Sequence, residues 1–514
     1  MSEDRPEYNL QMTRSPISTT QENGERISNA RSGHDEIALS EVAAISLEIR
    51  SELWVRSKQP RVQAPVMSAD LHIPQGPGRR AVLGLGRAFC VGSIIFASGD
   101  IWPVVHIGFT FRVAQLCVFA AALFLLANRP LLLRVFPGFV GLYAFCTWIA
   151  LTLPFSIFLE RSVGYVVWAI SDALVIFVFV QYFRTQSAVL KLFQWAIIAY
   201  LAISVFGFLQ FILYLRGINL FVTEFWIKGK IARVNGLSYE PSYYATYLIA
   251  GWVTCMYLFE KNSTHPNPRL QRVCLVATTA ALLLCSSRMG YVMMALWVAF
   301  RVSLRPARSL YHGIARRRGL RVSLGFTALG VLGVVTAVHY RGRLMTLASA
   351  APFLFAGLGL MGHSAQSAHT RLESFSRTWI AFAHHPIIGT GIGALPVAIA
   401  RQTGHGVYDL RDAKGFEGMS IAAEVLAETG LIGASLVFAA GVQVIRSYRS
   451  ARLRAPDWRK KLLSAQSWGL IWMLLMLQMN QNFLRIYIFI DLAVLICIMI
   501  MHDDPEHSPA ISGT

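Results

Sequence analysis

The sequence predicts an all-α fold: a polytopic transmembrane helical bundle of about 12 spans, with a long loop domain between two groups of spans. Three observations predict it. Of 514 residues, 54% are hydrophobic and 15% charged, far from the balance of a soluble globular chain. Apolar runs long enough to cross a ~30 Å hydrocarbon core recur along the chain. The formal net charge of +19 falls mostly in alternate connections between those runs, as the positive-inside rule requires. These patterns exclude a soluble multidomain protein. Because topology accounts for the basic residues, they give no reason to invoke nucleic acid.

Residues 1–80 read as a cytoplasmic, largely disordered region, since MSEDRPEYNLQMTRSPISTT lacks the charged-then-apolar layout of a secretory signal. Within it, Ile37, Val42, Ile45, Ile49 and Leu53 recur at near-helical spacing, which predicts an amphipathic helix over Asp35 to Arg56. The first part of the bundle covers 81–340, with spans near 81–98, 104–127, 138–157, 163–180, 192–215, 242–259, 273–286, 291–302 and 323–340. A loop domain follows over 341–420, then spans near 421–444, 464–479 and 487–501 and a cytoplasmic tail over 502–514. With the N-terminus inside, Arg129 and Arg134, Arg184 and Lys191, and Lys261, Arg269 and Arg272 all fall on the cytoplasmic side. So do the two most basic connections, 301–321 and 446–461.

The loop domain contains two moderately apolar segments, 347–361 and 379–400. A single crossing by either would send Arg446 to Lys461 outside, whereas two crossings would preserve parity. His384, His385, Pro386 and several glycines make the second a poor span. The expectation is an extracytoplasmic domain of partly membrane-dipping helices. The seven cysteines all sit in apolar stretches without CxxC spacing and read as small core residues.

Basic residues on the outer side are the exceptions to this topology. Lys228, Lys230 and Arg233 immediately precede Glu240-Pro241-Ser242, and Pro241 suits the first turn of a helix. The N–H groups and positive dipole end of that helix would join these cations in an anion site. Arg288 lies at the outer tip CSSRMGY of a tight hairpin, where a guanidinium either snorkels to headgroups or grips phosphate oxygens. Together they point to a phosphorylated or pyrophosphorylated ligand. The loop domain adds Arg371, Glu373, Arg377, the segment AHHPIIGTGIGALP and Glu417. Its Gly389, Gly391 and Gly393 resemble a nucleotide loop only superficially, because no strand precedes them. Glu424 and Glu428 share one face of the next helix, as functional carboxylates or as a pair that favours the helix dipole.

Arg87, Arg112, Asp172 and Asp491 are expected to pair inside the bundle, and Gln478 to Asn482 to bond between helices or to sugar hydroxyls. No metal site is expected, since His384 and His385 are adjacent and lack a ligating partner. Walker, Rossmann and serine-hydrolase motifs are absent from suitable contexts.

In order and spacing, ARVNGLSYEPSYYATYL, SSRMGY, RLESFSRTWIAFAHHPIIGTGIGALP and AAEVLAETGLIG resemble the O-antigen ligase and Wzy-type polysaccharide polymerase family. The resemblance implies a GT-C-like glycosyltransferase of the bacterial inner membrane. Such an enzyme needs no metal, cofactor or nucleotide sugar, and acts on the periplasmic face. Its partner would be an undecaprenyl-diphosphate-linked oligosaccharide within membrane lipid, with a chain-length regulator and other polysaccharide-assembly proteins as candidate associates. By the same resemblance Arg233 and Arg288 would hold the diphosphate, and Arg377 is a third candidate.

One departure separates this chain from the ligases, which carry a His-Asn pair where it has Met419-Ser420. Either another group then takes the acceptor proton, with Glu240 first and Glu424 and Glu417 as further candidates, or activation relies mainly on positioning and the leaving group. The Glu240-Pro241-Ser242 motif resembles exopolysaccharide and capsule polymerases, so polymerase is the first expectation. The rivals are an O-antigen ligase using lipid A-core and a lipid-linked oligosaccharide flippase. No internal repeat supports the flippase.

Overall fold

The computed structural model describes residues 77–102, 104–107, 109–128, 135–227, 231–311, 363–406, 416–479 and 483–502. The amphipathic stretch from Asp35, the expected span at 323–340, the segment at 347–361 and Asn480 to Asn482 lie outside these residues. The described helices are α1 (Pro77–Ile95), α2 (Val113–Asn128), α3 (Phe139–Leu151), α4 (Leu159–Tyr182), α5 (Gln186–Leu215), α6 (Pro241–Glu260) and α7 (Pro268–Leu284). They continue with α8 (Arg288–Tyr311), α9 (His363–His384), α10 (Leu395–Gln402), α11 (Ile421–Arg454), α12 (Asp457–Leu477) and α13 (Ile486–Ile500). Helices α4, α5 and α11 are long and apolar enough to cross a membrane, and shorter apolar helices run over Val82–Ile95, Val113–Ala127, Phe139–Leu151 and Ile486–Ile500. The described chain is thus an all-α, membrane-like bundle.

Two small antiparallel hairpins interrupt it: β1 (Val104–Ile107) with β2 (Phe109–Arg112), and β3 (Glu224–Ile227) with β4 (Ile231–Arg233). The first corrects the expected span at 104–127. Its opening residues VVHI and FTFR are β-branched and aromatic around Gly108, a composition that suits paired strands. The helix begins only at Val113.

Helix α6 lies at the centre, buried along almost its whole length. Small residues let neighbours approach it: Gly251 faces the Tyr200 ring of α5, and Gly469 of α12 faces Thr254 and the Ala250 carbonyl. Deeper in the bundle, the Asp491 carboxylate accepts from the Tyr200 hydroxyl at 2.8 Å and from the Gln466 amide at 3.0 Å. Arg87 donates to the Tyr182 carbonyl. Asp172 is buried, and neither of its carboxylate oxygens has a hydrogen-bond partner among the described residues.

The helix ends separate into two groups. At one end, the Asp100 and Ile101 N–H groups donate to the Leu237 carbonyl, and the Ile157 N–H donates to Thr390. The Ser420 hydroxyl donates to Gln478 there. At the other end, Arg459 donates to the carbonyls of Ile498, Met499 and Met501, and Arg301 pairs with Glu260. The first group contains Arg233, Glu240, Arg288 and Glu424 and is called the site end below.

Residues 379–400 form no single helix: they supply the end of α9, a loop and the start of α10. That loop clasps a break in α11. At Gly430 the backbone takes φ 66° and ψ −174°, a conformation essentially restricted to glycine. The break frees carbonyls, and the loop satisfies them: Thr390 N–H donates to Ala427 O at 2.9 Å and Gly391 N–H to Glu428 O at 3.0 Å. In return Leu431 N–H donates to Pro386 O at 2.8 Å. The glycines therefore serve close approach of two backbones. A Cβ at Gly430 would strike the Ile387 carbonyl.

Gly430→Ala should lower the thermal unfolding midpoint in detergent by the equivalent of about 3 kcal/mol or more, from strain plus the clash. Gly84→Ala, where a Cβ meets nothing within 4 Å, should leave the midpoint unchanged or raise it by ~0.5–1 kcal/mol. Equal midpoints for the two variants would refute the clasp.

Candidate functional site

Arg233 ends β4, directly opposite Glu224 on β3, and the two side chains form an ion pair. Its guanidinium also donates to the Ser286 carbonyl at 3.4 Å, in the turn between α7 and α8. Ser286 occupies that tight turn with φ 50°, and Arg288 opens α8 two residues later. Glu240 is the exposed N-cap residue of α6, with Pro241 in the first turn. The Ser242 hydroxyl donates to its carboxylate at 2.9 Å. Gly290 lies against Ala245, so the first turn of α8 sits beside the second turn of α6. The expected pair, Arg233 and Arg288, is thus carried on touching elements, with two helix N-termini pointing the same way.

Beside them is a buried charge cluster that the sequence reading missed. Asp100 accepts from Arg112 at 2.9 Å and from Arg485 at 2.6 Å. All three residues are less than 9% exposed. Arg485 lies over the Tyr243 ring at 3.8 Å and Arg112 over the Trp168 ring at 5.1 Å. Tyr243 stands three residues after Glu240, so the cluster holds the first turn of α6 in place. Arg112 was expected to pair inside the bundle, but its partner was not foreseen. The available signal was three charges at the ends of apolar runs, without sequence proximity to link them.

A second polar group forms where α11 starts. Arg161 donates to the Tyr165 hydroxyl at 2.7 Å and pairs with Glu417 at 3.7 Å. Arg161, Tyr165, Glu417, Glu424 and Glu428 line a cavity of about 10 Å³, room for about one water-sized group. Glu424 and Glu428 are both buried, and one Glu428 carboxylate oxygen lacks a hydrogen-bond partner among the described residues. The structure brings Glu417 and Glu424 together and leaves Glu240 outside this cavity.

Arg377 lies on α9 and pairs with Glu373 at 2.5 Å, while its neighbour Thr378 accepts from the Met419 N–H at 3.3 Å. It therefore belongs to the surroundings of the α11 start, whereas Arg233 and Arg288 belong to those of α6 and α8. Among the described residues, no three His, Cys, Asp or Glu side chains are grouped to hold a metal ion.

Asp100→Ala would leave two guanidinium groups in a buried site without their carboxylate, which costs about 3–5 kcal/mol. Glu373→Ala removes a half-exposed pair worth within about 0.5 kcal/mol. Thermal midpoints of the two purified variants should differ accordingly, and a midpoint for Asp100→Ala equal to wild type would rule out the cluster as a structural anchor.

A search of curated proteins finds none that matches the chain. Residues 273–438 match the family model for O-Antigen ligase. The matched stretch takes in α7 from Val273 onward, the turn before Arg288 and Arg288 itself, the loop that clasps α11, and Glu424 and Glu428. Arg233 and Glu240 lie upstream of it. Over residues 273–438, the chain is thus similar to the O-antigen ligase family.

Proposed function

We propose that the protein is a polysaccharide polymerase that joins undecaprenyl-diphosphate-linked oligosaccharide repeats on the periplasmic face of the bacterial inner membrane. The observation that supports this most is the meeting of Arg233, the Arg288 turn and the N-terminus of α6 at the site end. In the proposed reaction, a hydroxyl of a single lipid-linked repeat attacks the anomeric carbon of the growing lipid-linked chain. The bond from that carbon to the diphosphate oxygen breaks, and its electron pair leaves with undecaprenyl diphosphate. Arg233 and Arg288 neutralise the developing charge, with Arg377 as a third candidate. The hydroxyl proton passes to a carboxylate.

Glu240 is the first choice for that base, because it is exposed beside the two arginines and the Ser242 hydroxyl orients one of its oxygens. Glu424, in the small cavity with Glu417 and Arg161, is the second. The scheme consumes no nucleotide sugar, and neither a metal nor a cofactor enters it.

Polymerase is favoured over ligase by the surroundings of Met419 and Ser420. The Ser420 hydroxyl ties the start of α11 to Gln478, and the Met419 N–H ties it to α9. These positions hold helices together and offer no base. The family description itself favours the second reading, a ligase that transfers the glycan to lipid A-core.

Purified protein given lipid-linked repeats alone should produce a ladder of longer glycans, whereas product formed only when lipid A-core is added would establish the ligase instead. In the same assay Arg288→Ala should slow bond formation about 10²–10³-fold, as expected for loss of a group that stabilises transition-state charge. Arg288→Lys should recover part of the rate, and bond formation undiminished in Arg288→Ala would point to transport. Glu240→Gln should lose at least ~10²-fold. If it retains full rate while Glu424→Gln does not, the base is Glu424.

A further inference from the structure

A cavity of about 780 Å³ runs beside α11, bounded by α12, α13 and the start of α3, and it plays no part in the proposed reaction. The α11 residues that line it fall on both sides of the break at Gly430, from Ile421 and Val425 before it to Val437 through Arg452 after it, over most of the helix's length. Through most of that length its walls are apolar, with Val437, Gly441, Ile445, Trp468, Leu492 and Ile496 among them. The polar exceptions gather at the end opposite the site: Tyr448, Ser467, Arg301, Arg449 and Arg452.

Those arginines are not equivalent. Arg301 is already neutralised by Glu260 and lies over the Tyr257 and Trp297 rings. Arg449 and Arg452 are exposed, stand three apart on one face of α11, and have no ion pair among the described residues. From Arg452 back to Val437 is about 22 Å of helix, on the scale of the chains of one leaflet. The mouth is cationic and the interior is apolar.

We propose that this half of the cavity binds an anionic diacyl phospholipid, with its phosphate on Arg449 and Arg452 and its acyl chains along Gly441, Ile445 and Leu492. Guanidinium groups match phosphate oxygens, and basic pockets between membrane helices select anionic headgroups. An apolar volume of this size left unfilled would forfeit the contacts that close packing supplies. A polyprenyl carrier fits the mouth poorly, because its diphosphate belongs at the opposite end. The phospholipid would act as a filler that seats α11, the helix whose other end carries Glu424 and Glu428.

The test uses the full chain purified in detergent and in nanodiscs of phosphatidylglycerol or phosphatidylcholine. Native mass spectrometry should find phospholipid retained by the wild type, and phosphatidylglycerol should raise the thermal midpoint several degrees above phosphatidylcholine. Arg449→Gln with Arg452→Gln should abolish that difference and lower retention about tenfold, ~1.4 kcal/mol, and the double Lys variant should restore both. Gly441→Trp, at a position where a Cβ meets nothing within 4 Å, should fill the cavity and expel the lipid without unfolding the protein. Equal midpoints in the two lipids, or a difference that survives the double Gln variant, would overturn the proposal. So would a retained species that proves to be a polyprenyl phosphate indifferent to both arginines.

Discussion

The carboxylate of Asp100 holds together parts of the chain that nothing else in the sequence connects. Its partner Arg485 is 385 residues away, and its other partner, Arg112, closes the first β-hairpin. Two guanidinium groups and one carboxylate in a buried place tolerate little rearrangement, because separating any pair leaves a charge without compensation. The rings of Tyr243 and Trp168 lie against the outer faces of those guanidinium groups. The orientations of α4, α6 and α13 at the site end are therefore set by one electrostatic knot. Glu240, at the N-terminus of α6, inherits its position from it.

A second constraint acts on α11. Backbone groups within an apolar environment must find partners in the protein itself, so a helix can break there only where another segment supplies donors and an acceptor. The loop from Pro386 to Gly393 does so, and the break at Gly430 coincides with it. Glu424 and Glu428 sit on the short part of α11 before the break, which can take a direction of its own toward Arg161. The glutamate-bearing start of α11 and the long stretch beyond the break are in this way separately positioned.

Much of this was legible in the residues. Apolar length and the Pro241 start predicted α6, apolar length alone predicted most of α7, and the outward placement of Arg233 and Arg288 put both on the same side of the bundle. The hairpin at 104–112 escaped because an apolar stretch leading into a span was read as its first turns, although its β-branched and aromatic composition favoured strands. The Asp100 cluster escaped for a different reason: periodicity and loop charge carry no information about which distant ends meet. The glycine-rich loop was judged a poor nucleotide site, yet its role as a clasp depended on a helix break that a run of good helix formers around Gly430 does not announce.

The ion pair between Glu224 and Arg233 changes what arrival and departure of a substrate mean. A diphosphate that engages Arg233 does not meet a bare cation; it exchanges places with a carboxylate already seated on the opposing strand. When the diphosphate leaves, Glu224 can return, and the hairpin never has to expose an uncompensated guanidinium. On the proposed reading, turnover at that residue would be the replacement of one counter-ion by another, with the strand register supplying the resident anion.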